Sequence, residues 1–225
     1  MTKVVLSKRL LAIANLVNKK SSVIDVGCDH ALLDIYLSQN KIIKKSIASD
    51  VVDGPINMAK KNLVKYGIDN IELRISDGLD SLTKKDRVDT IIMSGLGNQK
   101  ITNILKKDLS KLDNIECIII QSNTGYDKIR SEVVPLGYKI KEEILVEDNG
   151  IIYVVIKFVK ENKKYTKKQL YFGPLLLKQK NELFYKMVNI DIKKNDEIIK
   201  RLPKRKIIKK IKLYIKNIIL KKEIR

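Results

Sequence analysis

Tryptophan is absent from the 225-residue sequence, and histidine occurs only once, at position 30. Cysteine is also scarce, since only Cys28 and Cys117 are present and they lie far apart in the chain. One histidine and two cysteines are too few for a convincing zinc site, so we expect no bound metal. Sparse cysteine use also favours a reduced, cytoplasmic setting.

Long apolar runs are missing as well. No segment approaches the length of a bilayer span, and the first segment lacks the apolar core of a signal peptide. We therefore expect no membrane partner. A chain of this length is sufficient for one full α/β domain with a smaller appendage.

Acidic residues are scarce in the last third of the chain. Residues 160–225 carry 22 of the 46 Lys and Arg residues but only 6 of the 26 Asp and Glu residues, so +16 of the net charge of +20 falls there. Coding bias toward lysine would act on the whole chain and does not explain this asymmetry. Basic segments bind polyanions or form solvated faces. Nucleic acid is the favoured partner, and the lack of tryptophan favours recognition by shape and phosphates over base stacking.

The first 160 residues alternate between strand-like and helix-like segments. We predict strands at 22–26, 46–49, 71–75, 88–93 and 117–121, with helices at 6–17, 29–38, 55–66, 100–109 and 127–134. Two further strands, 138–146 and 151–159, are joined by Asn149-Gly150, a strong hairpin signal. Five parallel units followed by a C-terminal β-hairpin are typical of the Rossmann-like α/β sheet of class I methyltransferases. A plain dinucleotide fold would continue with a sixth helix–strand unit.

Residues 161–225 are predicted to form a separate basic, helical domain. A long helical stretch begins at Gly173-Pro174, and Pro203 marks the start of a second helix. Each helix carries an apolar stripe that we expect to be core, formed by Leu176, Leu183, Met187 and Ile190 in the first and by Ile207, Ile211, Tyr214 and Ile218 in the second. Matching stripes predict an antiparallel coiled-coil hairpin.

The turn after the first strand is the strongest chemical signal. Gly27 follows the strand and allows a ligand to approach the backbone closely. Dinucleotide-binding folds place a second glycine where this chain has Asp29. A carboxylate there repels a pyrophosphate but suits the sulfonium and ammonium groups of S-adenosylmethionine. Alternatively, Asp29 only caps the following helix.

Polar residues and glycines also follow the next strands. Asp50 is placed to accept hydrogen bonds from both ribose hydroxyls, and Asp77 to accept one from an adenine amino group beside Gly78. Ser94 and Gly95 end the fourth strand, where methyltransferases bring the methyl group to its acceptor. Each residue also has a structural alternative, since Asp50 can cap a turn and Asp77-Gly78 is a common turn dipeptide.

These segments resemble the bacterial TrmK family. The resemblance covers nearly the whole chain and rests on Leu6–Leu10, Asp25–Ala31, Asp53–Pro55, Asp77–Leu79, Gly95–Gly97, Gln121–Asn123, Glu147-Asp148 with Gly150, and Gly173-Pro174. It implies methylation of N1 of adenine 22 in tRNA by S-adenosylmethionine, on a Rossmann-like domain with a coiled-coil tail. The chain departs from the family pattern at Asn98, where the family has glycine, and at Ser122, where it has proline.

The resemblance also implies roles for individual residues. Asp29 is the candidate for stabilising the methylated adenine, with Asn123 orienting the base. His30 either contacts the substrate or is structural, and Arg9 either grips a phosphate or fixes the first helix. Gly97 and Gln121 are candidate substrate contacts, and we expect a monomer.

Other functions are consistent with parts of this pattern. A methyltransferase that acts on a small molecule or protein would not need the basic tail. A nucleic-acid-binding protein with an inactive methyltransferase-like domain would not need the acids at the second and third strand ends. An oxidoreductase is disfavoured by Asp29 and by the terminal hairpin.

Overall fold

The computed structural model describes residues 3–224, apart from the side chain of Lys204. The strands are β1 (Ser21–Val26), β2 (Ile43–Asp50), β3 (Ile71–Ile75), β4 (Thr90–Leu96), β5 (Cys117–Ser122), β6 (Tyr138–Asp148) and β7 (Ile151–Lys160). The helices are α1 (Lys8–Ala14), α2 (Leu32–Gln39), α3 (Asp53–Tyr66), α4 (Asn98–Lys107), α5 (Tyr126–Val133), α6 (Lys167–Phe172), α7 (Leu176–Gln179), α8 (Glu182–Arg201) and α9 (Ile207–Ile224).

The strands form one seven-stranded sheet in the order β3-β2-β1-β4-β5-β7-β6. Strands β1 to β5 are parallel, whereas β7 runs antiparallel to both β5 and β6. This arrangement confirms the predicted α/β, Rossmann-like methyltransferase sheet with a terminal hairpin. Asn149 and Gly150 form the hairpin turn with φ values of 50° and 77°, the left-handed conformation that a two-residue turn requires.

The central strand is buried along its whole length. Every residue of β1 is buried, both the apolar Val23, Ile24 and Val26 and the polar Ser21, Ser22 and Asp25. The chain passes to β2 and β3 on one side of β1 and to β4 and β5 on the other. The strand order therefore reverses between β1 and β4, and a ligand crevice is expected beyond the carboxyl ends of these strands.

The chain divides into two compact units, the first extending to Leu177 and the second starting at Lys178. The sequence predicts the boundary at residue 160, but residues 161–177 belong to the first unit. The guanidinium of Arg130 explains this, because it forms a fully buried ion pair with Glu143 (2.6 Å) and donates to the carbonyl of Tyr171. Glu143 also accepts from the backbone amide of Leu175.

The tight turn at Gly173 depends on the same ion pair. Gly173 has a φ of 94°, and a Cβ atom there would lie 2.6 Å from Glu143 and 2.7 Å from Arg130. Only glycine fits without displacing the pair. The Gly173-Pro174 motif thus holds the segment after α6 against the first unit.

The second unit contains an antiparallel pair of helices, α8 and α9. Lys180 Nζ lies 3.6 Å from the carboxylate of Glu223, and Asn195 Nδ2 donates to Asn217 Oδ1 at 2.7 Å, so opposite ends of the two helices meet. The helical hairpin agrees with the sequence, while its packing as a heptad coiled coil stays a prediction. The first predicted stripe is not continuous, because Lys180 adopts a left-handed conformation between α7 and α8.

The predicted core stripe of α9 is wrong. Its members are at least half exposed, namely Ile207 (61%), Ile211 (50%), Tyr214 (54%) and Ile218 (67%). The buried residues are instead Asn217, Leu220 and Glu223. Helix α9 has apolar residues on two faces. The buried face has a polar residue, Asn217, at its centre. The apolar pattern of the sequence therefore indicated the exposed face instead.

Over residues 3–224, no helix is both long enough and apolar enough to cross a bilayer.

Candidate active site

A cleft of about 300 Å³ opens beyond the carboxyl ends of β1, β2 and β4. Its wall contains eight residues that the sequence predicts for the site: Arg9, Gly27, Asp29, His30, Asp50, Gly78, Ser94 and Gly95. Four other predicted residues are not part of this wall: Asp77, Gly97, Gln121 and Asn123. The volume lies within the range of small-molecule sites.

Asp29 adopts a left-handed backbone conformation in the turn between β1 and α2. Its φ is 53°, and that of Ala31 is 55°. A residue other than glycine in this conformation is uncommon, although Asp tolerates it better than most. The side chain of Asp29 is 75% exposed toward the cleft mouth, and His30 Nε2 lies 3.5 Å from its Oδ1. The departure from glycine therefore places a carboxylate at a strained turn, as functional sites commonly do.

Below this turn, Asp25 and Asp34 form a buried pair of carboxyl groups. Burial, reinforced for Asp25 by the neighbouring Asp34, raises the pKa of Asp25 well above its ordinary value, and burial raises that of Asp34 to about 6. The two groups are hydrogen-bonded to each other, which requires a proton on one of them. Asp25 Oδ1 and Asp34 Oδ2 are both buried, and neither accepts from an N–H or hydroxyl donor among residues 3–224, as expected if the two oxygens share this proton. Sequence reasoning missed Asp25 as a site residue, although an acid inside a buried strand was a usable signal.

The second and third strand ends contribute Asp50 and Gly78. Asp50 Oδ1 accepts from the backbone amide of Val52 at 3.2 Å, so part of its role is to shape the turn before α3. Gly78 has a φ of 62°, and a Cβ atom there would lie 2.8 Å from Ile104. Asp77 lies on a neighbouring groove, with Lys107 Nζ 4.0 Å from its carboxylate.

The fourth and fifth strand ends are joined by Gln121, which is completely buried. Its Oε1 accepts hydrogen bonds from Arg9 Nη1 (2.7 Å), the Gly95 amide (3.0 Å) and Ser94 Oγ (3.2 Å). Its Nε2 donates to Asn123 Oδ1 at 3.1 Å, and Asn123 Nδ2 donates to the Gly95 carbonyl at 2.9 Å. Gln121 therefore supports the cleft wall from beneath, and exposed Asn123 lies beside that wall.

The two departures from the family pattern lie together. Ser122 Oγ is 2.7 Å from the Thr124 carbonyl and 3.1 Å from that of Leu96, while Thr124 Oγ1 donates to Asn98 Oδ1 at 3.1 Å. Gly97 precedes Asn98 as the N-terminal cap residue of α4. Ser122 and Asn98 thus tie the loop after β5 to the start of α4.

Lys100, in the first turn of α4, is a further cleft residue that sequence reasoning missed. Nothing in its sequence neighbourhood distinguishes it from the other lysines. Together with Arg9 it supplies positive charge to a wall that otherwise contains the acids Asp25, Asp29 and Asp50.

The chemistry of the wall fits S-adenosylmethionine. Asp25 places a carboxyl group in the cleft wall, where it is hydrogen-bonded to Asp34 behind it. The three acids favour a cationic ligand, and Asp50 ends the strand next to β1, the position of a ribose-binding acid. Burial, together with Asp25, raises the pKa of the Cys28 thiol well above its ordinary value, so this cysteine is a poor nucleophile. Across residues 3–224, no group of three or more His, Cys, Asp or Glu side chains could hold a metal ion.

Comparisons with known proteins agree with this geometry. The TrmK family, described as tRNA (adenine(22)-N(1))-methyltransferase, matches residues 23–223. The chain is similar to the Bacillus subtilis tRNA (adenine(22)-N(1))-methyltransferase, with 29% identity over 90% of this chain and 87% of that protein.

Two solved structures are similar over almost their full lengths. A protein of the NADB-Rossmann superfamily from Streptococcus agalactiae gives a TM-score of 0.95 at 30% identity, covering 100% of this chain and 99% of that one. TrmK from M. capricolum, determined with the cofactor product S-adenosyl-homocysteine, gives a TM-score of 0.85 at 30% identity and covers 97% of both chains. The chain belongs to the TrmK family of S-adenosylmethionine-dependent tRNA (adenine(22)-N(1))-methyltransferases.

Proposed function

We propose that this chain methylates N1 of adenine 22 in tRNA, and that the cleft beyond β1, β2 and β4 is where the transfer occurs. The observation that carries the proposal is the acidic turn at Asp29, in a cleft whose wall also contains Asp25 and Asp50. S-adenosylmethionine supplies the electrophilic methyl group when bound.

In this proposal, several residues hold the cofactor. Gly27 lets its amino-acid portion approach the backbone, and Asp50 accepts from the ribose hydroxyls. Asp77 and Gly78 flank the adenine, although Asp77 must turn from the neighbouring groove to do so. Ser94 and Gly95 form the wall on the acceptor side.

Asp29 acts on the adenine that is methylated. Adenine N1 lies on the Watson–Crick edge, so the base must leave its pairing partner to enter the cleft. A methyl group on N1 leaves positive charge on the ring and acidifies the N6 amino group. The exposed carboxylate of Asp29 is placed to stabilise that charge, while Asn123 orients the base and His30 contacts the substrate or Asp29.

The tRNA also contacts surfaces outside the cleft. We assign phosphate binding to the basic residues of 160–225, which carry a net charge of +16. The same charge repels a second copy of the chain, so we propose a monomer. The tRNA substrate and the two free cysteines support a cytoplasmic location.

The experiment that tests the function is transfer of labelled methyl from S-adenosylmethionine to unmodified tRNA. We expect label in tRNA and none in small molecules or proteins of a cell extract. Cofactor binding without transfer to any acceptor would favour an inactive, nucleic-acid-binding protein.

Asp29→Asn tests the role of the carboxylate, because Asn tolerates the left-handed conformation while it removes the charge. We expect kcat to fall about 10- to 100-fold, with a smaller change in cofactor affinity measured by calorimetry. The matched control is Asp69→Asn, which removes an exposed acid away from the cleft. Unchanged kcat would refute the catalytic role, and lost cofactor binding would make Asp29 a cofactor ligand instead.

A further inference from the structure

Arg9 connects three parts of the sequence that lie far apart. Its backbone amide, in the first turn of α1, donates to Asp148 Oδ2 at 3.1 Å, at the end of β6. Its guanidinium Nη1 donates to both Ser94 Oγ and Gln121 Oε1 at 2.7 Å. The ring of Tyr153, on β7, lies 5.6 Å from the guanidinium carbon. The β6–β7 hairpin thus fixes the start of α1, and α1 carries the guanidinium to the strand ends of the cleft.

The hydrogen-bond donors of Arg9 help to determine how the side-chain amides of Gln121 and Asn123 are oriented. A guanidinium can only donate, and so can the backbone amide of Gly95. Both face the Gln121 side chain, so its oxygen must point toward them and its Nε2 toward Asn123. Asn123 must then offer Oδ1 to Gln121 and Nδ2 to the Gly95 carbonyl. Without Arg9, Gln121 loses its shortest hydrogen bond and the orientation of Asn123 is less firmly fixed.

We propose that Arg9 is a positioning residue for methyl transfer, which acts through Gln121 to hold Asn123 and the Gly95 backbone in one arrangement on the acceptor side of the cleft. The inference rests on the proposed function, because Asn123 matters only if a base is presented there. It replaces the alternative in which Arg9 grips a phosphate of the tRNA. Arg9 Nη1 is directed at Ser94 and at completely buried Gln121, which is where a preorganising contact is needed.

The experiment compares Arg9→Met and Gln121→Glu with Lys8→Met in the full-length chain. Arg9→Met keeps the length of the side chain but removes its donors. Gln121→Glu keeps the acceptor for Arg9 and Gly95 but cannot donate to Asn123. Lys8→Met removes the same charge from the neighbouring exposed position, whose charge acts on Asp148 and not on Gln121 or Asn123.

For Arg9→Met and Gln121→Glu we expect kcat to fall about 10- to 100-fold, because small displacements of a bound acceptor cost that much. We expect the affinities for S-adenosylmethionine and for tRNA to change less than about threefold, with the salt dependence of tRNA binding preserved. The Asn123 side-chain amide signals in a ¹⁵N NMR spectrum, assigned with Asn123→Asp, should shift in both variants and stay in place in Lys8→Met. The double variant Arg9→Met with Gln121→Glu should be no slower than the worse single variant, because both interrupt one path.

Retained kcat with weaker tRNA binding and a salt slope reduced by about 1 would show a phosphate contact and overturn the proposal. Retained kcat with unmoved Asn123 signals would also overturn it. If Arg9→Met fails to fold, Gln121→Glu alone carries the test. Failure of the wild-type chain to methylate tRNA would refute the proposed function instead, while the NMR comparison would still report whether Arg9 orients Asn123.

Discussion

Asp25 on β1 and Asp34 on α2 form a buried carboxyl pair whose protonation affects folding directly. Burial raises the pKa of both carboxyl groups, so the folded chain holds a proton that the unfolded chain releases above about pH 4. The folded state then binds more protons than the unfolded state, and its free energy of unfolding falls as the pH rises through this window.

We predict that wild-type stability declines by about 1–3 kcal/mol between pH 5 and pH 8 because of this pair. Asp34→Asn should flatten the decline, since an amide can donate to Asp25 without a shared proton. Urea unfolding at several pH values measures the decline in the free energy of unfolding, with Asp69→Asn as the control for an exposed acid. An unchanged decline in Asp34→Asn would contradict this assignment.

At the residue scale, the site residues that belong to short motifs directly after a strand could be predicted from the sequence. Gly27, Asp29 and Gly78 follow strands directly, and their turns can be read from neighbouring residues. The interior position of Gln121 could not be predicted, because it depends on Arg9, which is 112 positions away and reaches it from a different element. For the same reason, the sequence could not predict that Ser122 and Asn98 lie close together.

Helix α9 shows the limit of pattern reading at the scale of an element. Buried and half-buried positions 213, 217, 220 and 224 recur at steps of four and three, as the predicted stripe does. Asn217 stands in the middle of this face, and its hydrogen bonds with Asn195 and Asp196 satisfy it there. By contrast, β1 and the β6–β7 hairpin were predicted well, because a buried strand and an Asn-Gly turn depend on adjacent residues.

The two faces of α9 can be distinguished by truncating one side chain on each. Leu220 is 1% exposed and Ile218 is 67% exposed. We expect Leu220→Ala to cost about 2–4 kcal/mol and Ile218→Ala less than about 0.5 kcal/mol. Urea unfolding followed by circular dichroism at the helix band compares them. Equal losses of stability, or a larger loss for Ile218→Ala, would show that the predicted stripe of α9 is buried after all.

At the scale of the whole molecule, basic residues are more concentrated in the second unit than in the first. Seven Lys and Arg residues and no acids lie within residues 200–210. This segment spans the end of α8, the connection that follows it and the start of α9. Phosphate contacts release counterions, so a segment that binds tRNA must contribute to the salt dependence of binding.

Glutamine substitution in the full chain tests this segment. We expect the log–log salt slope of tRNA binding to fall by about 2–4 when Lys200, Arg201, Arg205, Lys206 and Lys209 are replaced. Replacing Lys60, Lys61, Lys65, Lys84 and Lys85 removes the same charge from the first unit and should change the slope less. Filter binding between low and physiological salt gives both values, and equal slopes in the two variants would refute a specific role for the segment.

The central claim is that this chain modifies one atom of one nucleotide. The most direct measurement incubates the full-length protein with S-adenosylmethionine and an unmodified tRNA transcript, then maps methylation by primer extension, which stops at N1-methyladenine. We predict a cofactor-dependent stop at adenine 22, and no stop in a transcript that carries guanine there. A stop at another adenine, or label incorporated without any stop, would contradict it.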